Sequence, residues 1–201
     1  MPSNPHNIIL ASTSKGRAKV CKDAGLVLTD CVDAGVDEAK VKKAMASENS
    51  KHIALELSKR KAIAISEEKP DSYVIGADQT LSLSGQKFDK PNTSQGVKNH
   101  ITAFSGKTHI LHSGICVAKG GAVLWADVFD ARMQMRPLSD TFINAYVSAC
   151  GDRVASCVGG YHFEGLGAQL FEKIEGDYFT ILGLPLLPLL SFLREQGVII
   201  K

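Results

Sequence analysis

The sequence predicts an α/β protein: a mixed, twisted sheet flanked by helices, arranged as two lobes around a cleft. Three observations predict it. Short apolar runs at 8–11 (IILA) and 73–75 (YVI) read as buried strands. Segments with helical spacing and capping residues lie between and after them, over 50–66 and 94–104. Two strand-like runs flank Gly120-Gly121 within 108–135, the pattern of a β-hairpin. Strands alternating with helices favour layered α/β packing, and a hairpin makes the sheet mixed.

Length and composition narrow the class. The chain has 201 residues, 44% hydrophobic and 22% charged, which suits one large domain or two small lobes with a real core. A net charge of +2 is too small for a nucleic-acid binder. Five scattered cysteines, with no CxxC, argue against a disulfide framework or zinc site and for a reducing compartment. The N-terminal MPSNPHN lacks a basic n-region, so no signal peptide is expected. The longest apolar run, Ile181 to Leu193, is short for a membrane span and contains Pro185 and Pro188.

The first strand, 8–11, runs into Ser12, Thr13 and Ser14, hydroxyl residues where a helix would start, and Gly25 stands where that helix would end. A helix N-terminus with free N–H groups is a natural anion site. Lys15 and Arg17 lie in the same turn, and an arginine can grip a phosphate through two hydrogen bonds. The alternative is ordinary capping with solvated charges. The GxxxxGK[ST] spacing of a Walker loop is absent. Residues 26–36 alternate weakly and read as a second strand ending in Asp37-Glu38, which could ligate a divalent cation or form a solvated acidic turn. The following charged stretch is a loop or short helix.

On the 50–66 helix, Ile53, Ala54, Leu57, Ala64 and Ile65 share a face, with Lys61 in its middle. A lysine there ordinarily snorkels to solvent; the alternative is a lysine aimed at phosphates. The strand from Tyr73 then sets one carboxylate, Asp78, after Gly76-Ala77. A buried acid needs a partner or a job, unless it only caps a turn. The small pair before it leaves room for a ligand to approach the backbone. Ser84-Gly85 marks a turn, Lys90-Pro91 an extended stretch, and Thr93 a cap for the 94–104 helix. His109 and His112, three apart on a strand, would face opposite sides and make no metal pair. Ser139 caps a helix over 140–149. Gly159, Gly160, Gly165 and Gly167 mark a flexible or tightly packed loop carrying Glu164, able to close over a ligand. Residues 183–193 read as a buried terminal helix.

These motifs occur in the order of a known family. LASTS (10–14) with Arg17, Val36-Asp37-Glu38, Lys61-Ala62, Gly76-Ala77-Asp78, Lys90-Pro91, Ser105-Gly106, Glu164-Gly165, Gly176-Asp177 and Gly183-Leu184-Pro185 resemble the Maf family of nucleoside triphosphate pyrophosphatases. The resemblance implies a single domain over 1–201 with a deep cleft. It also implies cytoplasmic, metal-dependent hydrolysis of a nucleoside triphosphate to monophosphate and pyrophosphate, removing non-standard nucleotides. Asp78 would be the proton acceptor, and Ser12, Ser14, Arg17, Lys61 and Lys90 would bind substrate. Glu38 and Asp78 would hold Mg²⁺ or Mn²⁺ through oxygen ligands. No nucleic acid or membrane partner is expected, and a homodimer is possible. An alternative is a nucleotide-binding regulator of cell division or septum formation with weak or no turnover.

Gln79 and Glu164 resemble the specificity positions of the subgroup acting on 7-methyl-GTP, and a carboxylate favours that cationic base. That subgroup reads Pro-Trp-Arg in its first loop, where the tryptophan can stack on the base. Here the loop reads Lys15-Gly16-Arg17, so Gly16 replaces the aromatic and implies a broader or shifted substrate range.

Overall fold

The computed structural model describes residues 6–200, and most of the N-terminal stretch behind the signal-peptide expectation lies outside the described residues. The chain runs through β1 (Ile8–Ala11), α1 (Lys15–Asp23), β2 (Asp30–Cys31), α2 (Glu38–Ala44) and α3 (Ser50–Glu68). Next come β3 (Tyr73–Leu83), β4 (Gln86–Phe88), α4 (Ser94–Phe104), β5 (Thr108–Lys119), β6 (Ala122–Met135) and α5 (Asp140–Val154). A 3₁₀ turn over Leu166–Leu170, β7 (Phe171–Glu175), α6 (Tyr178–Ile181) and α7 (Leu186–Glu195) follow.

The seven strands among the described residues form one mixed sheet in the order β2-β1-β3-β5-β6-β7, with β4 paired to β3. Strand β1 pairs in parallel with both neighbours, Leu10 standing opposite Cys31 and Ile75. The β3–β4 and β6–β7 pairs are antiparallel. The expected α/β class with a mixed sheet is therefore what the chain adopts.

Two compact units divide the chain. One takes the described residues of Met1–Gln79, Ser113–Phe129 and Asp177–Lys201, the other Thr80–His112 and Asp130–Gly176. In the first unit both sheet faces are covered. Ile8 and Leu10 pack with Val20 and Cys21 of α1 and with Leu189 and Leu193 of α7. Ile9 and Ala11, pointing the other way, pack with Ala62 and Ile65 of α3. Burial on both faces is why IILA is continuously apolar rather than alternating.

Local signals explain most boundaries. Ser14 caps α1, its Oγ accepting from the Arg17 N–H. Strand β2 is shorter than the 26–36 reading. Thr29 and Val32 N–H groups still donate to the Ile8 and Leu10 carbonyls, but Asp33 then accepts from Gly35 N–H, and Gly35 (φ 63°) turns the chain out of the sheet. Helix α3 ends at Glu68, just past the expected 66.

In the second unit, Ser84-Gly85 joins β3 to β4, a three-residue strand too short to show any alternation. Helix α5 continues to Val154 rather than 149. The glycine-rich stretch is tightly packed at Gly167, where a Cβ would stand 2.4 Å from the His162 carbonyl. Tyr161 anchors that stretch beneath Phe171 and against His109. The expected terminal helix starts only at Leu186, after the Gly183-Leu184-Pro185 turn. No helix among the described residues is long and apolar enough to cross a membrane.

Candidate active site

Helix α3 lies on the sheet at backbone distance. A Cβ at Gly76 of β3 would stand 2.1 Å from the Ser58 carbonyl oxygen and 2.7 Å from the Ala62 nitrogen. At Gly114 of β5 it would stand 2.3 Å from the Ala54 carbonyl. The room beside Gly76 is thus filled by α3, correcting the expectation that a ligand could use it.

This approach sets Lys61 beside Asp78. The Lys61 Nζ donates to Asp78 Oδ1 at 2.6 Å and to Glu38 Oε1 at 2.5 Å. Lys61 is only 9% exposed and Asp78 6%. Asp78 lies within β3, so it is neither turn nor cap, and Lys61 turns inward to two carboxylates instead of reaching for solvent. Buried charges persist when paired in this way. The Asp37-Glu38 pair divides its work: Asp37 is exposed and caps α2 through the Lys40 N–H, while Glu38 faces Lys61.

The first loop is knitted to the same place. Ser12 Oγ accepts from Ser14 N–H at 3.2 Å and from Arg17 Nη1 at 3.3 Å. Arg17 Nη1 also donates to the Ala77 carbonyl at 2.8 Å, and Nε to the Gly183 carbonyl at 2.9 Å. Burial lowers the Arg17 pKa, and the negative charges of Asp78 and Glu38 act against that. Two cations, Arg17 and Lys61, therefore face two carboxylates. Lys15 and Gly16 are exposed.

Next to Asp78, Gln79 is held by its amide nitrogen. Nε2 donates to Ser113 Oγ at 2.9 Å, to the Thr180 carbonyl at 3.0 Å and to the Ile181 carbonyl at 3.1 Å. Ser113 Oγ itself donates to the Thr180 carbonyl at 2.8 Å. Asp177 caps α6, accepting from Phe179 and Thr180 N–H groups at 2.9 and 3.0 Å. Sequence reasoning missed Ser113 and Thr180, since a hydroxyl inside a strand and a backbone carbonyl belong to no motif. The available signal was Asp177 ahead of a short helix.

Two expected site residues lie in the second unit. Lys90 and Glu164 are exposed, and both act on the half-buried Cys157 thiol. Burial raises its pKa most, Lys90 lowers it and Glu164 raises it. The two histidines have separate partners, as opposite-facing side chains should. His109 Nε2 meets the Tyr161 hydroxyl at 2.7 Å. His112 joins Ser82 Oγ (Nε2, 2.9 Å) to Asp130 (Nδ1, 2.8 Å). That last chain has the order of a serine hydrolase relay, but Ser82 sits inside β3 rather than on the exposed elbow a nucleophile needs. It reads as a cross-strand polar bridge.

Among the described residues no three His, Cys, Asp or Glu side chains cluster as a ready metal cage. Glu38 and Asp78 do converge on one cation, the Lys61 ammonium. Two carboxylates completed by substrate phosphates are a donor set that fits a hard divalent cation.

Similarity to known proteins spans nearly the whole chain. A nucleoside triphosphate pyrophosphatase of Nitrobacter hamburgensis is 44% identical over 195 residues, covering 97% of this chain and 96% of that protein. A 7-methyl-GTP pyrophosphatase of Rhizobium etli is 47% identical over 194 residues, covering 96% and 97%. A nucleoside triphosphate pyrophosphatase of Hyphomonas neptunium is 45% identical over 194 residues, covering 96% and 97%. Residues 7–196 match the family described as Maf-like protein. With Asp78, Lys61 and Glu38 joined at the heart of that span, the chain belongs to the Maf family.

Proposed function

We propose that the protein hydrolyses nucleoside triphosphates to monophosphate and pyrophosphate, with Asp78 as proton acceptor. The observation that carries the reading is the Glu38–Lys61–Asp78 chain, with Lys61 and Asp78 buried, in a Maf family protein whose relatives are named as pyrophosphatases. Asp78 gives one carboxylate oxygen to Lys61, which leaves the other oxygen to orient water and take its proton. Arg17 and Lys61 supply positive charge against the developing charge on the phosphates, and Ser12 and Ser14 offer hydroxyl contacts. Lys90 is assigned to the phosphates on the resemblance. Glu38 and Asp78 would hold a divalent cation, Mg²⁺ or Mn²⁺, which supplies further charge neutralisation when bound.

Gln79, Glu164 and Gly16 are assigned to base choice, with modified triphosphates such as 7-methyl-GTP as preferred substrates. Relatives of both names stand at similar identity, so overall likeness does not choose between them. The protein acts in the cytoplasm in this reading, and its five free cysteines suit a reducing compartment. Its partner is the nucleotide, with no nucleic acid or membrane, and a homodimer is checked by sedimentation. A second reading, a nucleotide-binding regulator with little turnover, is favoured by one observation: Arg17 already serves Ser12, Ala77 and Gly183.

The test is pyrophosphate release from 7-methyl-GTP, GTP, UTP, dTTP and CTP, with Mg²⁺, with Mn²⁺ and with chelator. Wild type should turn over, chelator should stop it, and Asp78→Asn should lose on the order of 10²-fold or more in rate. Nucleotide binding without pyrophosphate release gives the second reading the lead.

A further inference from the structure

Gln79 is locked in one orientation. Two of the three partners of its amide nitrogen are backbone carbonyls, which can only accept, so the NH₂ group must face them. The third, Ser113 Oγ, spends its proton on the Thr180 carbonyl and so accepts from Gln79. Ser113 and Thr180 are completely buried, which fixes the hydroxyl and the carbonyl in place. Asp177 pins the start of α6, aiming the carbonyls of Thr180 and Ile181 back at Gln79. The part of the amide not engaged with these partners is Oε1, a pure acceptor. Gln79 itself is half-buried, so this oxygen can meet a ligand.

We propose that Ser113 is a positioning residue that fixes Gln79 as a hydrogen-bond acceptor toward the base. The substrate class follows: bases bearing a ring N–H on the pairing edge (guanine, 7-methylguanine, hypoxanthine, uracil and thymine), rather than adenine or cytosine, whose ring nitrogen there is an acceptor. The inference rests on the proposed role of Gln79 in base choice. An acceptor facing an acceptor leaves both unsatisfied, which is how a polar site rejects the wrong base.

The experiment compares kcat/KM for GTP and UTP with that for 1-methyl-GTP and 3-methyl-UTP, which lack the ring N–H, and for ATP and CTP. It uses wild type, Ser113→Ala and Ser113→Thr. Wild type should favour the ring N–H substrates by on the order of tenfold or more. Ser113→Ala should erode that ratio, because the amide loses one of its three anchors and its oxygen is no longer held in a single position, and Ser113→Thr should restore it. A merely structural role for Ser113 would lower activity on all substrates alike and leave the ratio unchanged, which overturns the proposal. Equal use of methylated and unmethylated nucleotides by wild type, a measurement that needs no variant, overturns it too. If wild type hydrolyses nothing, the proposed function fails separately. The same ratios are then read as calorimetric binding of α,β-methylene analogues, with the same supporting and overturning results.

Discussion

Removing the ammonium from the Glu38–Lys61–Asp78 chain should cost more than any contact it makes on paper. Lys61→Met keeps much of the side-chain volume and deletes the charge. Asp78, with its side chain only 8% exposed, is then left with a buried and uncompensated carboxylate. Breaking a buried pair from one side costs about 3–5 kcal/mol. Glu38, 36% exposed at its side chain, can rehydrate and adds little. Arg17 still attracts both carboxylates, which places the expected loss near the lower end, about 3 kcal/mol. Asp78→Asn leaves Lys61 paired with Glu38 and should cost only about 1 kcal/mol. With both changes no buried carboxylate is stranded, so the double variant should lose about 1–2 kcal/mol, well short of the sum of the singles. Urea unfolding at pH 7 measures this, followed by fluorescence of Trp125, which stacks on Phe192 with ring centroids 5.4 Å apart. Additivity of the two changes within about 0.5 kcal/mol would refute the reasoning, because it would mean Lys61 does not neutralise Asp78.

Other substitutions test the supports of the site. Gly76→Ala should destabilise by about 3 kcal/mol or more and depress activity, since the new methyl would meet α3 backbone at 2.1 Å; an unfolding curve like wild type would contradict it. His109 is fully buried, and burial holds its pKa at about 3 against an ordinary 6.5. The unfolded chain therefore binds a proton the folded chain refuses, and stability falls as pH drops from 6.5 toward 3, by about 1.4 kcal/mol per pH unit. His109→Gln should flatten that part of the stability–pH curve. Arg17→Lys removes the planar fork that spans Ser12, Ala77 and Gly183; it should cost on the order of 2 kcal/mol and raise KM for the triphosphate, read by thermal unfolding and steady-state kinetics.

Much of the fold was legible because its signals are local. Ser14, Thr93 and Ser139 stand at the helix starts expected of them, and Gly120-Gly121 joins the β5–β6 hairpin. What escaped depends on partners far along the chain. The second strand was overread because its pattern continues past Asp33, where a side-chain bond to Gly35 ends it. Strand β4 has too few residues to show a period. At the site, the residue types were readable and their relations were not. Nothing in the spacing from Glu38 to Lys61 to Asp78 says that one ammonium joins both acids, and helical periodicity alone made Lys61 look ready to snorkel. The arginine of the first loop was readable as a phosphate grip or a solvated charge, and neither reading foresaw that its donors join Ser12, Ala77 and Gly183. Ser113 was invisible because a serine within a strand looks like any other polar interruption.

The seating of α3 on Gly76 and Gly114 makes the geometry of the charged chain one-sided. Main-chain atoms already stand where a methyl would have to go, so the helix has no closer position to adopt. Changes elsewhere on α3 can lift it away from the strands but cannot press it nearer. The separation of Lys61 from Asp78 thus sits at its lower bound, and variation can only lengthen it. Any drift in sequence along α3 is then filtered by a single direction of failure. Gly16, at the exposed start of α1, carries no such backbone stop: a Cβ there would meet nothing nearer than Ser14 Oγ at 3.8 Å.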